Sequence, residues 1–181
     1  FSTAPAPSGW TRQSVSTLEY LWAVQFSDAL NGTAVGSTGT IVRTTNGGTN
    51  WTFQTSGSMN MLRAVHFVNS TIGTIVGSGG LILRTTNGGT SWTTQPSGTT
   101  NTLYDVHFFD ANNGVLVGAG GLIMQTANGG ATWVTRTSGT TNALRAVSFS
   151  SSTAGTVVGS AGTILRTTDG GVSWTSQTGG G

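Results

Sequence analysis

The chain has 181 residues, a formal net charge of +2, and charged side chains at only 7% of its positions. This length is enough for one domain with a sizeable core, and so small a net charge argues against nucleic-acid binding. The absence of cysteine excludes disulfides and cysteine metal sites, and no apolar run is long enough to predict a transmembrane helix.

Two regions differ in composition. Residues 1–9 combine Pro5 and Pro7 with small residues and are predicted to be a leader or linker. Residues 10–181 form one predicted repeat domain, because tryptophan recurs every 41 residues from Trp10 to Trp174. The four repeats run from tryptophan to tryptophan: 10–51, 51–92, 92–133 and 133–174.

Each repeat contains four predicted strands. The first follows Leu21, where Val24 and Phe26 show the period-two spacing of a strand. A second strand carries Val35, a third carries Ile41, and a fourth begins at the tryptophan. A four-stranded antiparallel unit with this period is typical of a β-propeller blade. A β-solenoid or an open sheet with the same period is the alternative.

An eight-residue box joins the third and fourth predicted strands, as in Thr44–Trp51. Asn-Gly or Asp-Gly followed by a second glycine predicts a tight turn with positive φ, and the tryptophan can pack back over it. We therefore expect a structural role rather than a metal or glycan site. The box residues are Asn46, Gly48, Trp51, Asn87, Gly89, Trp92, Asn128, Gly130, Trp133, Asp169, Gly171 and Trp174.

The box pattern, Ser/Thr-x-Asp/Asn-x-Gly-x-Ser/Thr-Trp, resembles the Asp-box of bacterial neuraminidase repeats. Three copies match at every position, and the first has Asn50 at the seventh. With Leu-x-Ala-Val-x-Phe and Gly-x-x-Val-Gly before it, the unit is most similar to the photosystem II assembly and stability factor propellers. The resemblance covers about residues 10 to 178. It implies a propeller whose boxes are structural and whose arginine patch binds a partner.

The predicted fold is all-β: a small β-propeller of four 41-residue, four-stranded repeats with one surplus terminal strand. Five tryptophan strands are present when Trp10 and Trp174 are both counted, whereas a ring of four blades needs four. An unpaired strand edge is a template for another chain. We therefore expect one terminal strand to pair with a neighbouring subunit or with a blade outside this sequence.

The first candidate site is the position after each strand-opening leucine. In a propeller, these residues would form a ring near one end of the central channel. Aromatic and arginine side chains in alternation suit a sugar face or an acidic group, and a solvated rim is the alternative. The four residues are Trp22, Arg63, Tyr104 and Arg145.

A second candidate is an arginine column on the third strands, formed by Arg43, Arg84 and Arg166, with Gln125 in the remaining place. The family resemblance implies partner binding by arginines, and a solvated strand position is the alternative. His66 and His107 share another column but lack a third ligand, so they make a poor metal site. No metal or cofactor is expected.

These observations predict a non-enzymatic protein that acts as an interaction, scaffold or self-assembling module, with a protein partner or a second copy. A lectin that binds carbohydrate through the Trp22 and Tyr104 rim is the alternative. An Asp-box hydrolase is the least favoured, because Glu19 is the only glutamate and few carboxylates are available for acid–base work. A surface rich in Thr and Ser without lysine predicts an extracellular or cell-surface location.

Overall fold

The computed structural model describes residue 13 and residues 15–177. Across this range the chain forms antiparallel strands joined by turns. The strands are β1 (Leu21–Phe26), β2 (Gly32–Gly36), β3 (Ile41–Thr44), β4 (Thr52–Gln54), β5 (Leu62–Phe67), β6 (Gly73–Gly77), β7 (Ile82–Thr85), β8 (Thr93–Gln95), β9 (Leu103–Phe108), β10 (Gly114–Gly118), β11 (Ile123–Thr126), β12 (Val134–Arg136), β13 (Leu144–Phe149), β14 (Gly155–Gly159), β15 (Ile164–Thr167) and β16 (Thr175–Ser176).

The strands form four sheets of four strands each, and in every sheet the strands pair in sequence order. Each sheet is one blade, so blade 1 is β1–β4 and blade 4 is β13–β16. The first strands of successive blades contact one another, β1 with β5, β5 with β9 and β9 with β13. These separate radial sheets confirm the predicted all-β propeller of four four-stranded repeats.

Every blade has two faces of different composition. In blade 2, the leading face packs on the preceding blade and the trailing face on the following one. The leading face of blade 2 comprises Leu62, Val65, Phe67, Ile75, Leu83 and Trp92. Its trailing face comprises Ala64, His66, Thr74, Val76, Ile82 and Arg84. Three apolar cores of this kind hold the four blades together.

Two hydrogen bonds recur in the box turns of all four blades. In blade 2, the Thr85 hydroxyl accepts from the Gly89 amide at 2.9 Å, and the Asn87 side-chain oxygen accepts from the Ser91 amide at 3.0 Å. Positive φ falls on the two glycines, +68° at Gly88 and +83° at Gly89, and not on the Asx residue. The tryptophan packs over the second glycine and edge-on against Phe67, at 5.9 Å between ring centroids.

The structure describes only one of the two terminal tryptophan strands. The C-terminal one, β16, pairs with β15 and completes blade 4. The predicted N-terminal one, at Trp10, lies almost wholly outside the described residues, as does the predicted leader 1–9. The surplus-strand hypothesis therefore stays a prediction.

Candidate functional site

A β-bulge lies at the start of every blade. The pairing of β5 with β6 shifts register between Leu62 and Ala64, which leaves Arg63 as the extra residue. The same shift places Trp22, Tyr104 and Arg145 at bulges in the other blades. Bulges re-aim a side chain away from the sheet, so four residues are set apart from both blade faces. They are the four residues of the predicted rim.

Glycine is required opposite each bulge, because the extra residue brings the backbones close together. A Cβ on Gly36 would lie 2.1 Å from the carbonyl oxygen of Tyr20. That carbonyl accepts from the Ser37 amide at 2.8 Å, which closes the bulge. The Val-Gly pair of each second strand is thus the sequence signal for the bulge. The alternation of apolar residues along the first strand does not predict it.

The four bulge residues form a continuous ladder of alternating rings and guanidinium groups. The Arg63 Cζ lies 5.3 Å from the Trp22 ring centroid and 5.9 Å from that of Tyr104. The Arg145 Cζ lies 4.1 Å from the Tyr104 ring centroid. All three distances are within the range of cation–π attraction. The structure therefore brings together the predicted rim, and we call this set the rim ladder.

Both ends of the rim ladder are open to solvent, while its middle is partly buried. Trp22 is 49% exposed and stands beside Tyr20, which is 74% exposed. Arg145 is exposed at the other end. Between them, Nε of Arg63 is buried and has no hydrogen-bond partner among the described residues. A buried donor without a partner is costly, and the rings of Trp22 and Tyr104 beside the guanidinium offset part of that cost.

Most carboxylates of the chain are engaged elsewhere and leave the rim ladder positively charged. Hydrogen bonds from their own turns lower the pKa of the Asp28, Asp110 and Asp169 carboxyls. Asp105 accepts from the amides of Val106 and Val147, both at 2.9 Å, and its burial raises its pKa. The lowered pKa values of Asp28, Asp110 and Asp169 are the opposite of what the general acid of a glycosidase needs.

The predicted arginine column serves the contacts between blades. Arg84 is only 7% exposed, and it donates to the Thr74 hydroxyl at 2.8 Å and to the carbonyl of Ala111 in blade 3. Its Cζ lies 4.6 Å from the Phe108 ring centroid. Burial lowers the pKa of the Arg84 guanidinium.

Two other members of the column also reach the next blade. Arg43 is half-buried and approaches the box turn of blade 2 at Gly88. Gln125 donates to the Gly170 carbonyl of the last box turn at 2.8 Å. Arg166, on the trailing face of the last blade, is exposed. A partner surface therefore cannot use Arg84 without opening the propeller.

The histidine column also lies between blades. Nε2 of His66 is 3.1 Å from the Phe108 carbonyl oxygen, and the His66 and His107 rings are 4.8 Å apart. Burial, and then the proximity of His107, lower the pKa of His66 to about 4. In blade 1, Gln25 takes the same place and bonds the backbone of Phe67.

Within residues 13 and 15–177, no group of three or more His, Cys, Asp or Glu side chains could hold a metal ion. The same residues include no helix long and apolar enough to cross a membrane.

Solved structures of several propellers are similar to the chain. YCF48 bound to a D1 peptide is 23% identical with a TM-score of 0.77, over 92% of this chain and 56% of that one. YCF48 from Cyanidioschyzon merolae is 22% identical with a TM-score of 0.78, over 93% and 59%. The GH74 xyloglucanase from Xanthomonas campestris is 14% identical with a TM-score of 0.70, over 96% and 32%.

At these identities the likeness shows the fold alone, and the chain spans a little over half the length of the YCF48 structures. No curated protein sequence matches the chain.

A match to a family model shows the family of the chain. It is described as photosynthesis system II assembly factor YCF48 and matches twice, over residues 3–97 and 92–179. An assembly factor of photosystem II serves a photosynthetic membrane complex and does not act outside the cell. The predicted extracellular or cell-surface location is therefore wrong. Because the two matches span nearly the whole sequence, the chain belongs to the YCF48 family of photosystem II assembly factors.

Proposed function

We propose that this chain is a protein-interaction propeller that binds an extended peptide along the rim ladder. In this proposal an acidic group of the peptide pairs with the guanidinium of Arg63 or Arg145, on either side of the Tyr104 ring, because guanidinium groups bind carboxylates through paired charge-assisted hydrogen bonds. The rings of Trp22 and Tyr104 supply rigid apolar area for the neighbouring peptide side chains.

The observation that carries the proposal is the alternation of rings and guanidinium groups across all four blades. The YCF48 structure that contains a D1 peptide supports a peptide as the ligand, since the chain belongs to that family.

A non-enzymatic role fits the same observations. The Asp105 carboxylate is held by backbone amides, and those of Asp28, Asp110 and Asp169 by their own turns. The similarity to GH74 enzymes is one of fold, at 14–19% identity. We therefore propose binding and assembly rather than hydrolysis.

The test is calorimetric titration of the intact chain with pairs of synthetic peptides that differ only in a free or an amidated C-terminal carboxyl group. We expect heat of binding from peptides with the free carboxylate and at least roughly tenfold weaker binding of the amidated partner, as loss of one charge-assisted hydrogen bond implies. Equal affinity within the pairs would contradict the C-terminal carboxylate as the acidic group that pairs with the arginines.

A glycan ligand is the second candidate, and the open aromatic end favours it. Tyr20 and Trp22 lie 5.9 Å apart at a tilt of 34° and are both well exposed. If a sugar stacks there, Trp22→Ala and Tyr104→Ala should abolish binding to a glycan panel, while Arg145→Gln should leave most of it. Binding of peptides but of no glycan would remove this candidate.

Self-association is the remaining part of the proposal. Donation of the N-terminal Trp10 strand to a second copy stays a prediction, and deletion of residues 1–16 tests it. An unchanged mass and melting temperature of the deleted chain would contradict strand donation.

A further inference from the structure

The turn between the second and third strands of blade 1 contains a residue in a strained conformation. Thr38 has a φ of 54° and a ψ of 32°, in the left-handed region. A β-branched residue is rare there, because its side chain crowds the backbone. In blades 2 and 3 the same position is held by Gly79 and Gly120, with φ of +67° and +68°. Blade 1 thus has threonine where the turn favours glycine, and strain of this kind clusters at ligand-binding positions.

Of the two left-handed residues in this turn, Thr38 is the one with room for a side chain. The other is Gly39, where a Cβ would clash with the carbonyl oxygen of Ser58. Thr38 is exposed, and so are Gly79 and Gly120, although blades 2 and 3 have a neighbouring blade on both sides. The exposure of this position is therefore a property of the turn and not of the ends of the chain.

Blade 1 also differs from blade 2 in the residue that lies over this position. In blade 2, a Cβ on Gly79 would lie 3.1 Å from Nδ2 of Asn60. The residue equivalent to Asn60 in blade 1 is Glu19, and it is exposed. In blade 2 a side chain at the turn would therefore have to displace an asparagine, whereas blade 1 has replaced both members of this pair.

The turn is joined to the Trp22 end of the rim ladder. Nε1 of Trp22 donates to the Ser37 hydroxyl at 3.1 Å, and the Ser37 amide donates to the Tyr20 carbonyl at 2.8 Å. Ser37 therefore contacts both residues of the exposed aromatic pair. Because Thr38 follows Ser37 directly, an exposed hydroxyl-bearing side chain adjoins the residue that holds the Trp22 ring.

We propose that Thr38 is a ligand-binding residue at the Trp22 end of the rim ladder, and this inference rests on the proposed peptide-binding function. An extended peptide on the Trp22 ring presents backbone N–H and C=O groups that need partners. A threonine hydroxyl can accept from the first and donate to the second. A contact with the peptide backbone is independent of peptide sequence. Thr38 thus adds affinity, whereas Arg63 and Arg145 provide the preference for an acidic group.

The strain at Thr38 and its contact with the peptide have opposite effects on the free chain and on the complex. Glycine at this position would relieve the strain and remove the hydroxyl. Stability and peptide affinity should therefore change in opposite directions, as is typical where a strained residue serves binding. A residue that only shaped the turn would change both in the same direction.

The test combines thermal melting with calorimetric titration of the free-carboxylate peptides. Thr38→Gly should raise the melting temperature by about 1–4 °C, because the relief of strain exceeds the added chain entropy. It should also weaken peptide binding roughly three- to tenfold, as loss of one neutral hydrogen bond implies. Thr38→Val keeps the branched shape and should weaken binding equally without raising the melting temperature. Thr38→Ser keeps the hydroxyl and should keep the affinity.

Ala161→Gly is the matched control for relief of strain. Ala161 occupies the equivalent turn of blade 4 with the same φ of 54°, and its side chain offers no hydrogen-bonding group. Because the substitution relieves strain at the same place in a turn without removing a hydroxyl, the affinity for the peptides should not change.

Two results would overturn the role of Thr38 while the peptide-binding function stands. One is that Thr38→Gly and Thr38→Val bind the peptides as tightly as the intact chain does. The other is that Ala161→Gly weakens binding as much as Thr38→Gly, since affinity would then follow the turns and not the hydroxyl. An intact chain that binds none of the peptides would overturn the proposed function and this inference together.

Discussion

The guanidinium of Arg84 in blade 2 lies over the ring of Phe108 in blade 3, at 4.6 Å from its centroid. The same side chain ties Thr74 on its own blade to the backbone of the next blade. A residue predicted as a possible partner contact is thus part of the contact between two blades. Its charge is stabilised by a ring face and two oxygen acceptors rather than by a carboxylate.

Arg84→Gln should therefore destabilise the fold. It removes the cation–π contact and leaves buried acceptors without a donor, at a cost of roughly 2–4 kcal/mol in the free energy of unfolding. Arg145→Gln, which removes an equal charge from the exposed end of the rim ladder, should cost less than about 1 kcal/mol. Urea denaturation at matched protein concentrations measures both, and equal effects would contradict a structural role for Arg84.

Two glycine-to-alanine substitutions, one in a box turn and one outside it, should differ in their effect on the melting temperature. Gly88 and Gly98 both have positive φ, +68° and +73°, so alanine meets similar backbone strain at either, of about 1 kcal/mol. A Cβ on Gly88 would also lie 2.7 Å from the Ser70 carbonyl oxygen, whereas nothing lies within 4 Å of one on Gly98. Gly88→Ala should thus lower the melting temperature more than Gly98→Ala, and equal melting curves would rule out tight packing at the box.

Acidification should weaken the contact between blades 2 and 3. Burial lowers the pKa of His66 to about 4 from its ordinary value of 6.5, so the unfolded chain binds a proton more readily between these values. Stability from this group is intact above about pH 6.5 and is lost as the pH falls towards 4, by about 3 kcal/mol at most. Asp105, whose pKa is raised by burial, opposes part of this loss at the acidic end.

His66→Gln is the matched variant, because Gln25 occupies the same position in blade 1 and bonds the next blade. The stability of this variant, measured by urea denaturation across the window, should depend less on pH than that of the unaltered chain. Asp105 and His107 are present in both chains, so the difference between the two curves reports the contribution of His66 to the pH dependence. If the two curves run parallel, protonation of His66 does not govern the acid loss.

The strands and box turns could be predicted from the sequence, because the 41-residue period repeats every local signal four times. The rim ladder could be predicted as a set, but the bulges that form it could not be read from period-two spacing. A bulge shifts the register by one residue, and this moves Leu21 from the face of Ala23 to that of Val24. The sequence cue for the shift is the glycine opposite each bulge.

The place of the arginine column could not be predicted from one sequence. An alternating polar residue on a strand faces either solvent or the next blade, and only the packing of neighbouring blades decides between them. Arg84 and Arg166 illustrate this, since they share a column but one is buried and the other exposed. The predicted extracellular location was wrong because surface composition depends on solubility and does not identify a cellular compartment.

The central claim is that the rim ladder binds an acidic peptide, and the paired removal of its arginines tests it most directly. The variant Arg63→Gln/Arg145→Gln is compared by calorimetry with Arg136→Gln/Arg166→Gln, which loses the same charge on β12 and β15, away from the rim. We expect the free-carboxylate peptides to bind the first variant at least roughly a hundredfold more weakly, as two lost charge-assisted bonds imply. The second variant should bind them nearly as the unaltered chain does. Equal affinities of the two variants would contradict the rim ladder as the binding surface.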